Sequence, residues 1–168
     1  MKTSLASLAL AAAFSTGVAS AQTTYDAFLT GTQENPVNAS PATGFGTVVL
    51  NAAGTLITVD ENWSGLTAPA TVSHIHGPAL PGVNAPVLFP FSGVPSATSG
   101  SIPEQTFAIT AAQVGQLQGG LFYMNVHDAN FPGGEIRGQL ILVPEPSTWA
   151  LLALSAGGLL WGMRRRTA

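Results

Sequence analysis

The chain has three histidines, His74, His76 and His127. Two of them stand in the heptapeptide S-H-I-H-G-P-A at residues 73–79. Imidazole nitrogen suits Cu(II) and Zn(II), and three such ligands leave a fourth position open for chemistry. On an extended strand, side chains at i and i+2 share a face with Cβ atoms roughly 6.5–7 Å apart, so His74 and His76 can turn toward one ion. His127 would complete the set, with Asn125, Asp128, Glu135 and Arg137 as hydrogen-bonding support or an added oxygen ligand. A metal site requires the three nitrogens to lie within about 4 Å of one another, because each bond to the ion is near 2 Å. The same residues also suit an architectural role, in which the histidines hydrogen-bond loop backbone and Glu135 pairs with Arg137. The residue pattern leaves both open, and the architectural role is the leading reading.

Other chemistry is sparse. There is no cysteine, no G-x-S-x-G elbow, no H-E-x-x-H and no phosphate loop. Asp60 and Glu61 are adjacent and so point to opposite faces of a strand, which is poor geometry for an acid/base pair. A non-enzymatic protein is therefore expected.

Positioning the histidines requires strands. Gly, Pro, Ser, Thr and Asn punctuate the body every eight to twelve residues, with β-branched and aromatic runs between them. That spacing predicts an all-β fold: an antiparallel, Greek-key-like sandwich or barrel of about seven or eight strands. Strands are expected at 25–30, 44–51, 55–63, 72–76, 86–91, 106–109, 121–127 and 135–143. Pro90 confines its strand to an edge or a bulge. Residues 35–43 are expected as a polar loop. Thr110-Ala-Ala-Gln113 is a capping-box pattern opening one short helix, stopped by Gly119-Gly120. Phe131-Pro-Gly-Gly134 is expected as a type II turn. Alternation puts Phe122, Met124, Val126, Ile136, Leu140 and Leu142 inward. It puts His127, Asn125, Glu135, Arg137 and Gln139 outward.

The ends of the chain are not expected to belong to this body. Residues 1–21 have one Lys, an apolar run and Ala19-Ser-Ala21, a small-x-small site that signal peptidase reads. At the other end, 147–163 is uncharged and followed by Arg164-Arg165-Arg166. As a helix it would be about 25 Å long, short but sufficient for a transmembrane helix in a thin bilayer. The arginines are expected on the cytoplasmic side. Between the ends, residues 22–143 carry seven acids (Asp26, Glu34, Asp60, Glu61, Glu104, Asp128, Glu135) and one base, Arg137. That balance argues against nucleic acid as a partner.

Pro144-Glu145-Pro146, the apolar 147–163 segment and the Arg164–Arg166 cluster, in this order, resemble the PEP-CTERM sorting signal. The resemblance implies a Gram-negative bacterium, a transient inner-membrane anchor and cleavage near the motif by an exosortase. Delivery to the cell surface or an exopolysaccharide matrix follows. S-H-I-H-G-P-A, N-A-P-V-L-F-P-F and G-L-F-Y-M-N-V-H-D-A-N-F-P-G-G-E-I-R-G-Q-L resemble the CHRD domain over essentially 25–142, with Asp128 where Thr or Ser is frequent. The H-x-H strand with a late histidine is also distantly similar to the Cu/Zn superoxide dismutase sandwich, although no disulfide or zinc loop is present. The expected function is an exported, surface- or matrix-sorted binding or structural module, with extracellular polysaccharide among its partners. The alternative is a copper- or zinc-binding protein with a three-histidine site.

Overall fold

The computed structural model describes residues 21–144. The signal sequence with Ala19, and the sorting residues Glu145, Pro146 and Arg164–Arg166, lie outside the described residues. Within them no helix is long and apolar enough to cross a membrane.

All strands belong to one antiparallel sheet that curls over a single core, a half-barrel rather than two separate layers. β1 (Thr23–Thr30), β2 (Thr43–Leu50) and β3 (Leu56–Ser64) form a meander. β4 (Ala70–His76), β8 (Tyr123–Asp128) and β9 (Ile136–Gln139) form the half that carries the histidines. β5 (Val87–Pro90) lies on the edge beside β4, the place that Pro90 requires. β6 (Gly100–Ser101) and β7 (Gln105–Ala108) pair with β3, and β10 (Ile141–Leu142) pairs with β1. Ten strands exceed the expected seven or eight because β6 has two residues, and Leu140 splits the last expected strand into β9 and β10.

Local signals explain most boundaries. The β2–β3 turn closes through Gly54 N to Asn51 O at 2.9 Å, with Gly54 at φ 67°, a value an L side chain resists. Asn51 Oδ1 then accepts from Thr55 N and Leu56 N, fixing the first pair of the returning strand. Helix α1 (Ala111–Gln118) starts with the expected capping box of Thr110 and Gln113, and Gly120 at φ 68° ends it. The turn at residues 131–134 differs from expectation. Gly134 N donates to Phe131 O, but Gly133 does not have the positive φ that a type II turn demands. Proline at the second position and glycine at the fourth also suit a type I turn, which places the chain here.

The core takes the inward faces of both halves, including Ile75, Phe122, Met124, Val126, Ile136 and Leu140. Leu142 does not join it. It is 51% exposed: β10 keeps the register of β9 against β1 and pairs Leu142 with Tyr25 on the inner face, but as the last residue of the strand it is not covered by the core. The outer face of β4, β8 and β9 is not open to solvent as simple alternation suggests. Two loops, 31–42 and 77–86, lie over it, so Asn125, Glu135, Arg137 and Tyr123 are all at most 2% exposed.

Candidate metal centre

β4 and β8 are neighbours, and their register pairs His74 with Asn125 and Val72 with His127. The three histidines therefore stand on adjacent strands and share the outer face. Ring centroids are 5.3 Å apart for His74 and His76, 5.0 Å for His74 and His127, and 6.2 Å for His76 and His127. One ring nitrogen from each lies within 4.8 Å of the others. Around a bound ion such nitrogens sit about 3.4 Å apart, so any pair near that upper limit must close before one ion is shared. Rotation about the soft terminal torsion of each ring is the way to do so.

Hydrogen bonds on the far side of two rings set the tautomers. His76 Nδ1 donates to Ala85 O at 2.8 Å, which leaves the lone pair on Nε2; that atom is buried and has no partner. His127 Nδ1 donates to Pro132 O at 3.0 Å, and its Nε2 then presents a lone pair to Asn125 Oδ1, also at 3.0 Å. Asn125 Nδ2 lies beside the Glu34 carboxylate, without full hydrogen-bond alignment to Oε1, and this orients the amide with its oxygen toward the rings. Buried His74 Nδ1 likewise has no partner. His76 Nε2, His127 Nε2 and Asn125 Oδ1 thus converge as acceptors, an arrangement that a cation or an N–H of His74 would satisfy.

The rings are uncharged at neutral pH. Burial, reinforced by the neighbouring His127 and His76, pushes His74 down to about 4, and burial also lowers His76 and His127. A neutral imidazole is the form that binds metal.

His76 is stacked on Tyr123, with centroids 4.9 Å apart and planes 3° from parallel; the Arg137 guanidinium lies 4.0 Å from the same tyrosine ring. Arg137 Nε is 3.2 Å from Glu34 Oε2, and its other nitrogens donate to Val83 O and Asn84 Oδ1. One cation thereby ties loop 31–42, loop 77–86 and β9 together, and the second loop supplies the carbonyl that orients His76.

Asp128 and Glu135 are engaged elsewhere. Asp128 accepts from Ala68 N at 2.8 Å, Thr67 Oγ1 at 3.1 Å and Phe131 N at 2.7 Å. Glu135 accepts from Thr67 N at 3.0 Å and from Ser40 Oγ. Burial raises Glu135 and a hydrogen bond shared with Asp128 raises it further, whereas for Asp128 the bonds from Glu135 and from backbone overcome burial and lower it. Together the two carboxylates pin the 65–69 loop through Thr67 and Ala68. The expected Glu135–Arg137 pairing gives way to Glu34–Arg137. Sequence reasoning missed the role of Glu34, which stands just before the 35–43 stretch read as polar loop and was counted only among the acids. The available signal was charge: a lone buried Arg137 needs an acid, though nothing local says which.

The sequence matches the CHRD domain over residues 25–140 and the PEP-CTERM protein-sorting motif over residues 142–166. No curated protein and no solved structure matches the chain. The chain belongs to the CHRD domain family, in a form carrying the sorting motif of exported, exosortase-processed proteins of Gram-negative bacteria.

Proposed function

We propose that this protein is an exported module that holds one copper or zinc ion on His74, His76 and His127 and serves to bind the ion rather than to turn over a substrate. Signal peptidase removes residues 1–21, the folded body is 22–143, and an exosortase acts at Pro144-Glu145-Pro146 before delivery to the surface or matrix. The observation that carries the metal reading is the convergence of ring nitrogens: His76 Nε2 and His74 Nδ1 without partners, and His127 Nε2 facing an amide oxygen. The far-side hydrogen bonds of His76 and His127 leave their Nε2 atoms as acceptors, which a cation would satisfy.

Binding is favoured over turnover by access. His76 and His127 are each 8% exposed beneath the loops, and only His74 reaches the rim. Copper and zinc both accept three imidazoles, and the chain has no thiolate that would select between them.

The test is metal content by mass spectrometry on residues 22–143 without an affinity tag, after incubation with copper and with zinc and removal of loosely held ion. The expected result is near-stoichiometric metal in the native sequence. None is expected in the folded His74→Ala/His76→Ala/His127→Ala variant. A native protein that retains neither ion overturns the metal reading and returns the histidines to architecture. The remaining function would then be a matrix-binding or structural module.

A further inference from the structure

Large apolar side chains gather where the chain leaves the fold. Phe28, Ile141 and Leu142 are 70%, 61% and 51% exposed, and with Val143 and Pro144 they line a shallow groove of about 380 Å³. Gln33 and Gln139 form its wall and are shared with a second groove lined by Val37, Pro81 and Gly82. Val37 is 70% exposed, and the turn that includes Pro81 and Gly82 begins and ends on exposed Leu80 and Val83. Six of the nine exposed large hydrophobics among the described residues thus belong to these two grooves and the turn between them. The free charge on this face is one carboxylate, Asp26, since Glu34 and Arg137 neutralise each other. Such a contiguous apolar face is unusual on an isolated domain and marks contact with another apolar body.

The position of the chain says which body. Pro144 is in the groove, and the uncharged 147–163 segment starts three residues later. From Leu142 to Ser147 the chain can extend at most about 17 Å, so the groove cannot move far from the point where that segment meets the bilayer. The headgroup layer is itself several ångströms deep, which brings the face within contact range.

We propose that this face rests on the lipid of the outer leaflet of the inner membrane for as long as the C-terminal segment is attached. Phe28 and Ile141 would lie at the boundary of headgroups and acyl chains. Contact is apolar rather than electrostatic, so anionic lipid does not strengthen it, and Asp26 opposes such lipid. Cleavage near the sorting motif removes the tether and releases the face. The proposal rests on the reading of 147–163 as a membrane span and is independent of the metal reading.

The chain has no cysteine, so single nitroxide labels report cleanly. Phe28→Cys, Ile141→Cys, Leu56→Cys and Ser155→Cys variants of the full chain are placed in phosphatidylcholine nanodiscs, and relaxation by oxygen and by an aqueous nickel chelate is compared. Phe28, Ile141 and Leu56 are exposed, so labelling them leaves the core intact. Labels at 28 and 141 are expected to show several-fold less nickel relaxation than the label at 56, which lies on β3 beside β7 away from the groove. Adding phosphatidylglycerol is expected not to strengthen that shielding. A lipid-buried label at 155 with aqueous labels at 28 and 141 overturns the proposal while leaving the span intact. An aqueous label at 155 overturns the span itself, and the proposal with it. Shielding at 28 and 141 that depends on added exosortase assigns the face to the enzyme and also overturns the proposal.

Discussion

Arg137 joins two loops to the sheet and backs the Tyr123–His76 stack. Its loss alone would strand Glu34 as an unpaired buried charge, whereas removing both members of a buried pair is far less costly. The Glu34→Gln/Arg137→Met double variant is therefore expected to fold and still bind copper or zinc, but about 10–100-fold more weakly, as typical for lost support behind a ligand. Competition with a chromophoric chelator measures this. Glu61 is a second buried carboxyl, fully enclosed, with its side chain hydrogen-bonded to Ser73. Ser73 Oγ also lies 2.8 Å from Asn125 O, an atom that can only accept. The single hydroxyl proton can serve only one of these two acceptors, and wherever it serves the carbonyl the carboxyl is favoured in its acid form. Burial accordingly raises Glu61 to about 8. The unfolded carboxyl ionises near its ordinary value, so the contribution to stability is complete in acid and is lost as pH rises through 8. Above pH 7 the lowered histidines oppose this slope only weakly, because the unfolded imidazoles are by then mostly neutral. Urea unfolding of the metal-free protein should show stability falling by about 1 kcal/mol from pH 7 to 8. Glu61→Gln should flatten that slope.

Among the elements, β9 shows how closely the sheet is drawn together. A Cβ placed on Gly138 would lie 2.7 Å from the carbonyl oxygen of Phe28, backbone that cannot step aside. Gly138→Ala should cost about 1–3 kcal/mol and should also weaken metal binding, since Arg137 precedes it. Calorimetric unfolding and the same chelator competition read the two effects together. Strand positions, the α1 capping box, the Asn51–Gly54 turn and the placement of the histidines on the outer face were legible because each depends on residues within a few positions. The 131–134 turn was misread because Pro-Gly serves two turn types that differ by a flip of the central peptide, in ψ of the proline and φ of the glycine. Leu142 was expected in the core because alternation gives the face of a side chain but not where along the strand the core stops covering it. The coverings of the outer face were not legible at all. Glu34 meets Arg137 and Asn84 meets Asn35 across long stretches of chain, and local periodicity has nothing to say about such contacts.

At the scale of the whole molecule, the core is held without disulfides, and all strands join one sheet. Composition anticipated an all-β body but not its curvature, since both a sandwich and a half-barrel satisfy the same alternation. Charge was the clearest whole-chain signal, and the structure sharpens it. The single arginine of residues 22–143 is 2% exposed and pointed inward, so the surface of the described residues offers no cationic side chain to a partner. A matrix built from acidic polysaccharide would therefore repel this domain in the absence of multivalent counter-ions. Adsorption of residues 22–143 to an acidic gel should rise when millimolar calcium is added and vanish with a chelator, while a neutral gel should be indifferent to both. The protein's place in any matrix it reaches is then set by dissolved ions that bridge like charges, and local ionic composition becomes the variable that retains or releases it.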